Sequence, residues 1–228
     1  MDKIIFSTFG NSPALSHARN HLQSWGYTVT PQPFQATHIL LPVPSHNVWC
    51  DLPPLKTEAT IFGGNLPPLP YRRIDLLQDK YYLLENAAIT AQCALRYADI
   101  QPGTQVLVVG WGRIGKHLTA LLAEAGTNVT VAARKASDRE ALAKIGIPSV
   151  DPAHWHPEEY AVIYNTAPAS VLSEVECASD ATLVDLASQK GIEGERVIWA
   201  RGLPSKDAPE LSGNLIAKTV LRYALGKE

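Results

Sequence analysis

The stretch 105–135 (QVLVVGWGRIGKHLTALLAEAGTNVTVAARK) constrains the fold more than any other part of this chain. An apolar run at 106–109 leads into the glycine-rich turn 110–115, a helical pattern follows, and a second apolar run lies at 129–132. This order of strand, turn, helix and strand is the setting in which a GxGxxG turn binds a dinucleotide. The sequence therefore predicts an α/β fold with a doubly wound parallel sheet of the Rossmann type.

Each glycine of the turn has its own predicted role. Gly110 permits the tight turn, Gly112 lets the backbone approach a pyrophosphate, and Gly115 lets the helix pack closely on the strand. The unpaired N–H groups and the positive dipole end of the helix would then hold the phosphates. The cofactor-binding residues predicted in this turn are Gly110, Trp111, Gly112, Arg113, Ile114 and Gly115.

The end of the second strand indicates which dinucleotide binds. NAD-specific sites carry an acidic residue about 20 residues after the turn, where it accepts hydrogen bonds from the ribose hydroxyls. Here that position falls at Ala132 or Ala133, and two cations, Arg134 and Lys135, follow at once. A 2′-phosphate would meet no carboxylate and could pair with both cations. The predicted cofactor is therefore NADP(H), and a merely solvated strand end is the alternative interpretation.

Charge and cysteine usage exclude several classes of function. The formal net charge of −2 argues against non-specific binding to nucleic acid or to a membrane surface. Three widely spaced cysteines form neither a disulfide framework nor a CxxC metal site, so no metal is predicted. No signal peptide or membrane helix is recognisable, and together with the cysteines this favours a cytoplasmic protein.

We predict two domains that meet at residues 75 and 76. Residues 1–75 start with a β-α-β-β pattern and continue through a proline-rich segment, 44–75, interpreted as loop and linker around one short strand at 60–62. They would form a smaller α/β domain on the substrate side. Residues 76–228 would form the NADP-binding Rossmann domain, with connecting helices at 76–100 and a C-terminal helix. A break near residues 88–90 makes Thr90 a candidate helix cap.

Alternating elements are also predicted after the glycine turn. They are a helix at 137–144, strands at 160–165 and 182–185 with a short helix near 170–175 between them, a weaker strand at 196–200, and a helix at 213–225. Such alternation predicts a parallel sheet that binds ligands at the carboxyl ends of its strands. The predicted cofactor contacts at these ends are Ala133, Arg134, Lys135, Asn165, Thr166, Asp185 and Ser188. For Asn165 and Asp185, a turn that merely ends the strand is the alternative.

Residues 86–226 resemble the family of dipicolinate synthase A subunits, itself related to the D-2-hydroxyacid dehydrogenases. The segments that carry the resemblance are Asn86 with Ile89-Thr90-Ala91, GWGRIG with the later AARK, NTAPASVL at 165–172, DLAS at 185–188, GLP at 202–204, and AP at 208–209 followed by Gly213. The resemblance implies an NADP-dependent oxidoreductase that transfers a hydride with a dihydrodipicolinate-like cyclic dicarboxylate. It also implies that the partner is a flavoprotein-like second subunit. The apolar helix at 76–100 suggests a homodimer.

Four residues are predicted to carry the chemistry. A dicarboxylate in a dry pocket needs cationic partners, which makes Lys190 and Arg201 candidate carboxylate ligands. Lys190 follows Gln189, which replaces a basic residue of the family. Asn86 and Thr90 are expected where the connecting helix meets the cleft. The alternatives are a solvated loop lysine for Lys190 and a simple helix cap for Thr90.

Two other functions stay open from the sequence. One is a D-2-hydroxyacid-type dehydrogenase, although no histidine follows His156 to act as the base that such enzymes use. The other is a non-catalytic NADP(H)-binding sensor or partner subunit. The latter is favoured by Gln189 and by Gln92, which stands where the family has a glutamate.

Overall fold

The computed structural model describes residues 4–227, and the chain divides into two compact units. The first unit contains Met1–Asn86 and Pro204–Glu228, and the second contains Ala87–Leu203. Within the described residues, no helix combines the length and the apolar character needed to cross a lipid bilayer.

Strands and helices alternate along most of the chain, as an α/β fold requires. The strands are β1 (Ile5–Thr8), β2 (Thr28–Val29), β3 (His38–Leu40), β4 (Thr60–Gly63), β5 (Arg72–Asp75), β6 (Gln105–Val109), β7 (Asn128–Ala132), β8 (Ser149–Val150), β9 (Val162–Asn165), β10 (Leu172–Ser173), β11 (Thr182–Asp185), β12 (Ile192–Glu193) and β13 (Ile198–Trp199). The α-helices are α1 (Pro13–Ser24), α2 (Lys80–Ala94), α3 (Arg113–Glu124), α4 (Ala136–Lys144), α5 (Leu203–Asp207) and α6 (Pro209–Ala224).

The first unit is built on a parallel sheet of five strands in the order β2-β1-β3-β4-β5. This 2-1-3-4-5 order is that of flavodoxin-like doubly wound proteins. Its inner strands are short and apolar, and Phe6, Ile39 and Ile61 are fully buried. Burial of such side chains supplies the main stabilisation of the unit.

The second unit is a parallel sheet of six strands in the order β8-β7-β6-β9-β11-β13. Counted from β6 as the first strand and without the small β10–β12 pair, this is the 3-2-1-4-5-6 order of dinucleotide-binding proteins. The helices α3 and α4 connect β6, β7 and β8. After β9 and β11 the chain instead forms loops joined by the separate two-stranded β10–β12 sheet. The predicted α/β, doubly wound Rossmann class is confirmed.

The C-terminal helix packs differently from the prediction. Instead of belonging to the dinucleotide-binding unit, α6 packs on α1 within the first unit. A Cβ atom added at Gly213 would lie 2.5 Å from Cβ of His17 and 2.6 Å from the carbonyl oxygen of Ala14. The absence of a side chain at Gly213 therefore allows the two helices to approach closely. The second compact unit ends at Leu203, whereas the predicted domain extends to residue 228.

Three local predictions are wrong. Helix α2 runs without a break from Lys80 to Ala94, so Thr90 lies inside the helix and does not cap one. The segment near 170–175 forms β10 and a 3-10 turn instead of a helix, because Leu172 pairs with Ile192 of β12. The segment interpreted as linker contains the additional strand β5. Its first residues, Arg72 and Arg73, are exposed at the sheet edge and lack the apolar signature of a strand.

Candidate functional site

The glycine turn lies between β6 and α3, at the carboxyl end of the first strand of the six-stranded sheet. Gly110 adopts a φ angle of +100°, which glycine tolerates far better than other residues. Its N–H group donates to the carbonyl oxygen of Ala132 at 2.9 Å, so the turn is fixed to the end of β7. Gly112 then occupies the N-cap position of α3, and no side chain caps this helix.

The space around the three glycines differs in the way a dinucleotide site requires. A Cβ atom at Gly115 would lie 2.2 Å from the carbonyl oxygen of Gly110, and one at Gly110 would lie 2.7 Å from Oγ1 of Thr166. A Cβ atom at Gly112 would meet no atom within 4 Å. The turn is thus tightly packed at two glycines and open at the third, and this open cradle at the N-terminus of α3 fits a pyrophosphate.

The other side chains of the turn frame this cradle. Arg113 is exposed at the first position of α3, while Trp111 and Ile114 are half-buried. Nζ of Lys116, one helical turn further on, lies 5.6 Å from the centre of the Trp111 ring. Cationic groups at this helix end add to the positive potential of its unpaired N–H groups.

The end of β7 carries the two predicted phosphate ligands. Ala133 is buried, whereas Arg134 and Lys135 are exposed. Neither cationic side chain has a hydrogen-bond or ion-pair partner within residues 4–227. Lys135 is also the N-cap residue of α4, and α4 has no side-chain cap. This loop therefore presents two cations and an uncapped helix N-terminus together, with Asp138 as the acidic residue of the first helical turn.

Thr166 supports the turn through its side chain. Its hydroxyl donates to the carbonyl oxygen of Val109 at 2.9 Å, and its backbone N–H donates to the same oxygen at 2.8 Å. Thr166 thus fixes the end of β9 to the end of β6, directly behind Gly110. Its predicted contact with a cofactor stays a prediction.

Asn165 and Asp185 are brought together and face each other. Both are fully buried, and Nδ2 of Asn165 donates to Oδ1 of Asp185 at 3.1 Å and to the carbonyl oxygen of Ala167 at 3.1 Å. Oδ1 of Asn165 accepts from the N–H of Ala167 at 2.9 Å, which is the Asx turn considered as the alternative. Both amide hydrogens of Asn165 are therefore used within the protein.

Asp185 accepts four hydrogen bonds. Besides the one from Asn165, Oδ1 accepts from the N–H of Ala187 at 2.9 Å, and Oδ2 accepts from the N–H groups of Gly191 at 2.6 Å and Ile192 at 2.9 Å. Hydrogen-bond donors of the protein thus take the place of water around this buried carboxyl group. These contacts show Asp185 organising the loop that begins after β11, and they leave it few positions for a ligand.

Gly191 is not singled out by the sequence pattern, and it completes this arrangement. A Cβ atom there would lie 2.3 Å from the carbonyl oxygen of Ala169 and 2.5 Å from Nδ2 of Asn165. The loops after β9 and β11 therefore touch at a position where only glycine fits. The only sequence signal is the glycine itself, because its neighbours come from segments about 20 residues away and cannot be read from the local pattern.

Two of the four candidate catalytic residues, Lys190 and Arg201, are exposed. Nζ of Lys190 donates to the carbonyl oxygen of Gly194 at 2.9 Å. The Arg201 guanidinium lies 4.9 Å from the centre of the Trp199 ring, and Ser188 is exposed. Asn86 is half-buried and Thr90 is buried, one turn apart on α2. The roles of these residues stay predictions.

Another residue missed by the sequence reasoning is Arg139. Its guanidinium donates to the carbonyl oxygens of Ala133 and Arg134 and forms an ion pair with Asp151. No sequence signal indicates this role, because an arginine inside a short polar helix such as α4 is ordinarily a solvated surface residue. Among the described residues, no three His, Cys, Asp or Glu side chains group closely enough to hold a metal ion.

The strand order, the glycine turn and the open cradle are those of the Rossmann fold, the fold class of dinucleotide-binding proteins. Solved structures share this architecture across nearly the whole chain. The A subunit of dipicolinate synthase from Bacillus halodurans gives a TM-score of 0.79 at 18% identity, covering 97% of both chains. Its counterpart from Bacillus subtilis gives 0.77 at 19% identity, covering 100% of this chain and 97% of that one. A transhydrogenase from Sinorhizobium meliloti gives 0.72 at 14% identity, covering 97% and 94%.

The sequence comparison finds the same subunit as a relative of this chain. The chain is 28% identical over 145 residues to the dipicolinate synthase A subunit of Bacillus subtilis (strain 168), covering 58% of this chain and 49% of the relative. The aligned part therefore spans about half the length of this relative. No protein-family model matches the chain. The predicted relation to the A subunit of dipicolinate synthase is confirmed by the sequence match together with the shared fold.

Proposed function

We propose that the chain is an NADP(H)-dependent oxidoreductase. The observation that carries the proposal is the loop after β7, where Arg134 and Lys135 stand without partners among the described residues, beside the uncapped N-terminus of α4. A 2′-phosphate there would meet two cations and unpaired backbone N–H groups, and no carboxylate stands at the strand end itself. The relation to the A subunit of dipicolinate synthase supports the redox class.

The chain's own residues would divide the binding of NADP(H) between two helix ends. The N-terminus of α3, open at Gly112 and flanked by Arg113, would hold the pyrophosphate. Arg134 and Lys135 would hold the 2′-phosphate, and Thr166 would keep the glycine turn in place. When bound, the nicotinamide supplies or accepts the hydride of the reaction.

The proposed substrate is a dihydrodipicolinate-like cyclic dicarboxylate, which rests on the relation to the dipicolinate synthase A subunit. Oxidation of such a ring removes one hydride and one proton, and the gain of aromaticity drives it. This chemistry suits a chain without a histidine after His156, because the proton can leave to water. Lys190 and Arg201 are the cations proposed to meet the carboxylates, and Asn86 and Thr90 are proposed as further polar contacts. A homodimer and a flavoprotein-like second subunit belong to the same proposal.

Titration calorimetry with NADPH and NADH tests the cofactor. We expect the wild-type protein to prefer NADPH, and Arg134→Ala to bind NADPH about tenfold more weakly or worse, which corresponds to at least about 1.4 kcal/mol. NADH binding should not change. Lys144→Ala is the matched control, because this lysine is exposed at the other end of α4. Equal losses for both nucleotides in Arg134→Ala, or a wild-type protein without a preference, would contradict the assignment.

Turnover distinguishes the proposed enzyme from its alternatives. The absorbance of reduced nicotinamide is followed with dihydrodipicolinate and with a panel of 2-keto acids, in the presence and in the absence of the proposed flavoprotein-like partner. Turnover of the cyclic dicarboxylate supports the proposal. Turnover of a 2-keto acid alone would establish a D-2-hydroxyacid-type dehydrogenase. Tight NADPH binding without turnover under any of these conditions would indicate a non-catalytic sensor or partner subunit.

A further inference from the structure

The loop between β7 and α4 has a firmly held backbone. It consists of three residues, and the N–H of Ala133 donates to the carbonyl oxygen of Val150 at 3.0 Å. The carbonyl oxygens of Ala133 and Arg134 both accept from Nη1 of Arg139, at 2.6 and 2.8 Å. The carbonyl oxygen of Lys135 accepts from the N–H groups of Asp138 and Arg139. Every carbonyl group of the loop is therefore hydrogen-bonded, and one side chain supplies the donor for two of them.

Arg139 is itself held in place. Its Nη2 lies 3.0 Å from Oδ2 of Asp151, just beyond β8, the strand next to β7. Oδ1 of Asp151 accepts from the N–H of Ala153 at 3.0 Å. This backbone hydrogen bond lowers the pKa of the Asp151 carboxyl, and the charge of Arg139 adds to the effect. The carboxylate is therefore ionised at neutral pH and orients the guanidinium toward the loop.

The backbone of this loop is held by hydrogen bonds, whereas its two cationic side chains are not. Arg134 and Lys135 project from a loop of fixed backbone, yet have no partner of their own within residues 4–227. Such a loop presents its cations without a large ordering cost on binding, which is the advantage of preorganisation. A flexible loop with the same two cations would bind an anion more weakly.

We infer that Arg139 is a positioning residue that sets the preference for the phosphorylated dinucleotide by fixing the backbone under Arg134 and Lys135. The inference rests on the proposed NADP(H)-binding function and adds a residue that does not touch the cofactor. The planar fork of arginine is needed, because one group must reach two carbonyl oxygens and a carboxylate in fixed directions. Charge alone, as in lysine, would not reproduce this geometry.

The test uses two variants. Arg139→Lys keeps the positive charge at this position, and Asp151→Asn removes the ion pair with Arg139 while keeping the shape of the Asp151 side chain. Calorimetry measures the affinity for NADPH and NADH, and amide hydrogen exchange of the cofactor-free protein measures the order of the loop at Ala133, Asp138 and Arg139 or its replacement. We expect Arg139→Lys to weaken NADPH binding about five- to tenfold and NADH binding less than about twofold. The exchange at these amides should become faster. Asp151→Asn should show the same changes at smaller size.

A double variant shows whether Arg139 acts through its neighbours. In an Arg134→Ala background the further loss of NADPH affinity caused by Arg139→Lys should be smaller than in the wild type, because the two residues act on one interaction. Unchanged NADPH affinity, or equal losses for NADPH and NADH, would overturn the inference while the cofactor assignment stands. A wild-type protein without a preference for NADPH would instead overturn the cofactor assignment. Amide hydrogen exchange of the cofactor-free protein would then still show whether Arg139 holds the loop between β7 and α4.

Discussion

The two sheets of this protein begin with nearly the same turn and use it differently. Gly10 follows β1 and Gly110 follows β6, and both adopt a φ angle of +100° before a helix. Helix α1 is then capped by its own chain, because Oγ of Ser12 accepts from the N–H of Leu15. Helix α3 has Gly112 at the same position and no side-chain cap.

The first glycine is crowded in both turns, because a Cβ atom would lie 2.8 Å from a side-chain atom of Val48 at Gly10 and 2.7 Å from Oγ1 of Thr166 at Gly110. The two turns differ at the N-cap position instead. Ser12 fills it with a capping side chain, whereas a Cβ atom added at Gly112 would meet no atom within 4 Å. The backbone turn alone therefore does not define a dinucleotide site. The candidate site differs from the first turn in its helix N-terminus, which no side chain of the described residues caps.

The largest effect is expected at Gly115. In Gly115→Ala the new methyl group would collide with the backbone of Gly110, so the turn must move. We expect NADPH affinity to fall by about a hundredfold or more, about 2.7 kcal/mol, and the free energy of unfolding to fall by about 1–3 kcal/mol. Calorimetry and urea denaturation measure the two quantities. Gly112→Ala is the control for stability and should lose less, at most about 1 kcal/mol, because its methyl group meets no atom within 4 Å and only the N-cap preference is affected. If Gly115→Ala bound NADPH as tightly as the wild type, the proposed role of this turn in holding the pyrophosphate would be contradicted.

The next largest effect is expected at Asp79 in the first unit, where hydrogen bonds to a buried carboxyl group stabilise the fold. Oδ2 of Asp79 accepts from Arg222 and from the hydroxyl of Tyr223, and Oδ1 accepts from the N–H of Tyr82 at 2.7 Å. Burial by itself would raise the pKa of Asp79, but these hydrogen bonds outweigh it and lower the pKa below its usual 3.8. The stabilisation is therefore present above pH 3.8 and is lost as the pH falls through the lower native value.

We expect Asp79→Ala to lower the free energy of unfolding at neutral pH by about 2 kcal/mol, because a largely buried charged hydrogen-bond acceptor is lost. The difference from the wild type should shrink in acid below pH 3.8. Urea denaturation at neutral and acidic pH measures both effects. Asp51→Ala, at an exposed acid of the same unit, serves as control and should change little. A difference that stays constant down to strong acid would refute the role of the ionised carboxylate.

A smaller effect should follow from making the second turn resemble the first. In Gly112→Ser the side chain has room, and its hydroxyl can cap α3 as Ser12 caps α1. We expect NADPH to bind about tenfold more weakly, because the new side chain occupies the cradle. This corresponds to a loss of about 1.4 kcal/mol in binding free energy. The free energy of unfolding should stay the same or rise by a few tenths of a kcal/mol. Undiminished NADPH affinity measured by calorimetry would mean that the open cradle is not where the pyrophosphate binds.

The smallest effect is expected from removing the cap of α1. Ser12→Ala should lower the free energy of unfolding by about 1 kcal/mol, since one N–H group of α1 loses its acceptor. NADPH affinity should not change, because this helix end takes no part in the proposed site. Urea denaturation and calorimetry again provide the readouts, with Ser16→Ala, an exposed serine inside the same helix, as control. A loss of NADPH affinity would show that the two turns are not independent.

The sequence predicted those parts of the fold and of the candidate site that depend on short stretches of chain. The three glycines between 110 and 115 each leave a local signature, and so do the apolar strands around them and the cations that follow β7. The predicted strand at 182–185 has the same bounds as β11 in the structure. These features follow from residues within a few positions of each other, so periodicity and turn chemistry are sufficient to predict them.

Contacts between distant segments decided the rest. The pairing of Asn165 with Asp185, the contact of Gly191 with Ala169, and the support that Arg139 gives to the loop after β7 all depend on which strands become neighbours. The C-terminal helix packs on α1 in the first unit, and Gly213 allows the two helices to approach closely there. The amino-acid sequence alone was enough to indicate the turn and the strand end proposed to bind a dinucleotide, since both signals are local. Which polar groups the protein already uses internally became visible only in the folded chain, because hydrogen bonds between remote segments form only once the sheet has assembled.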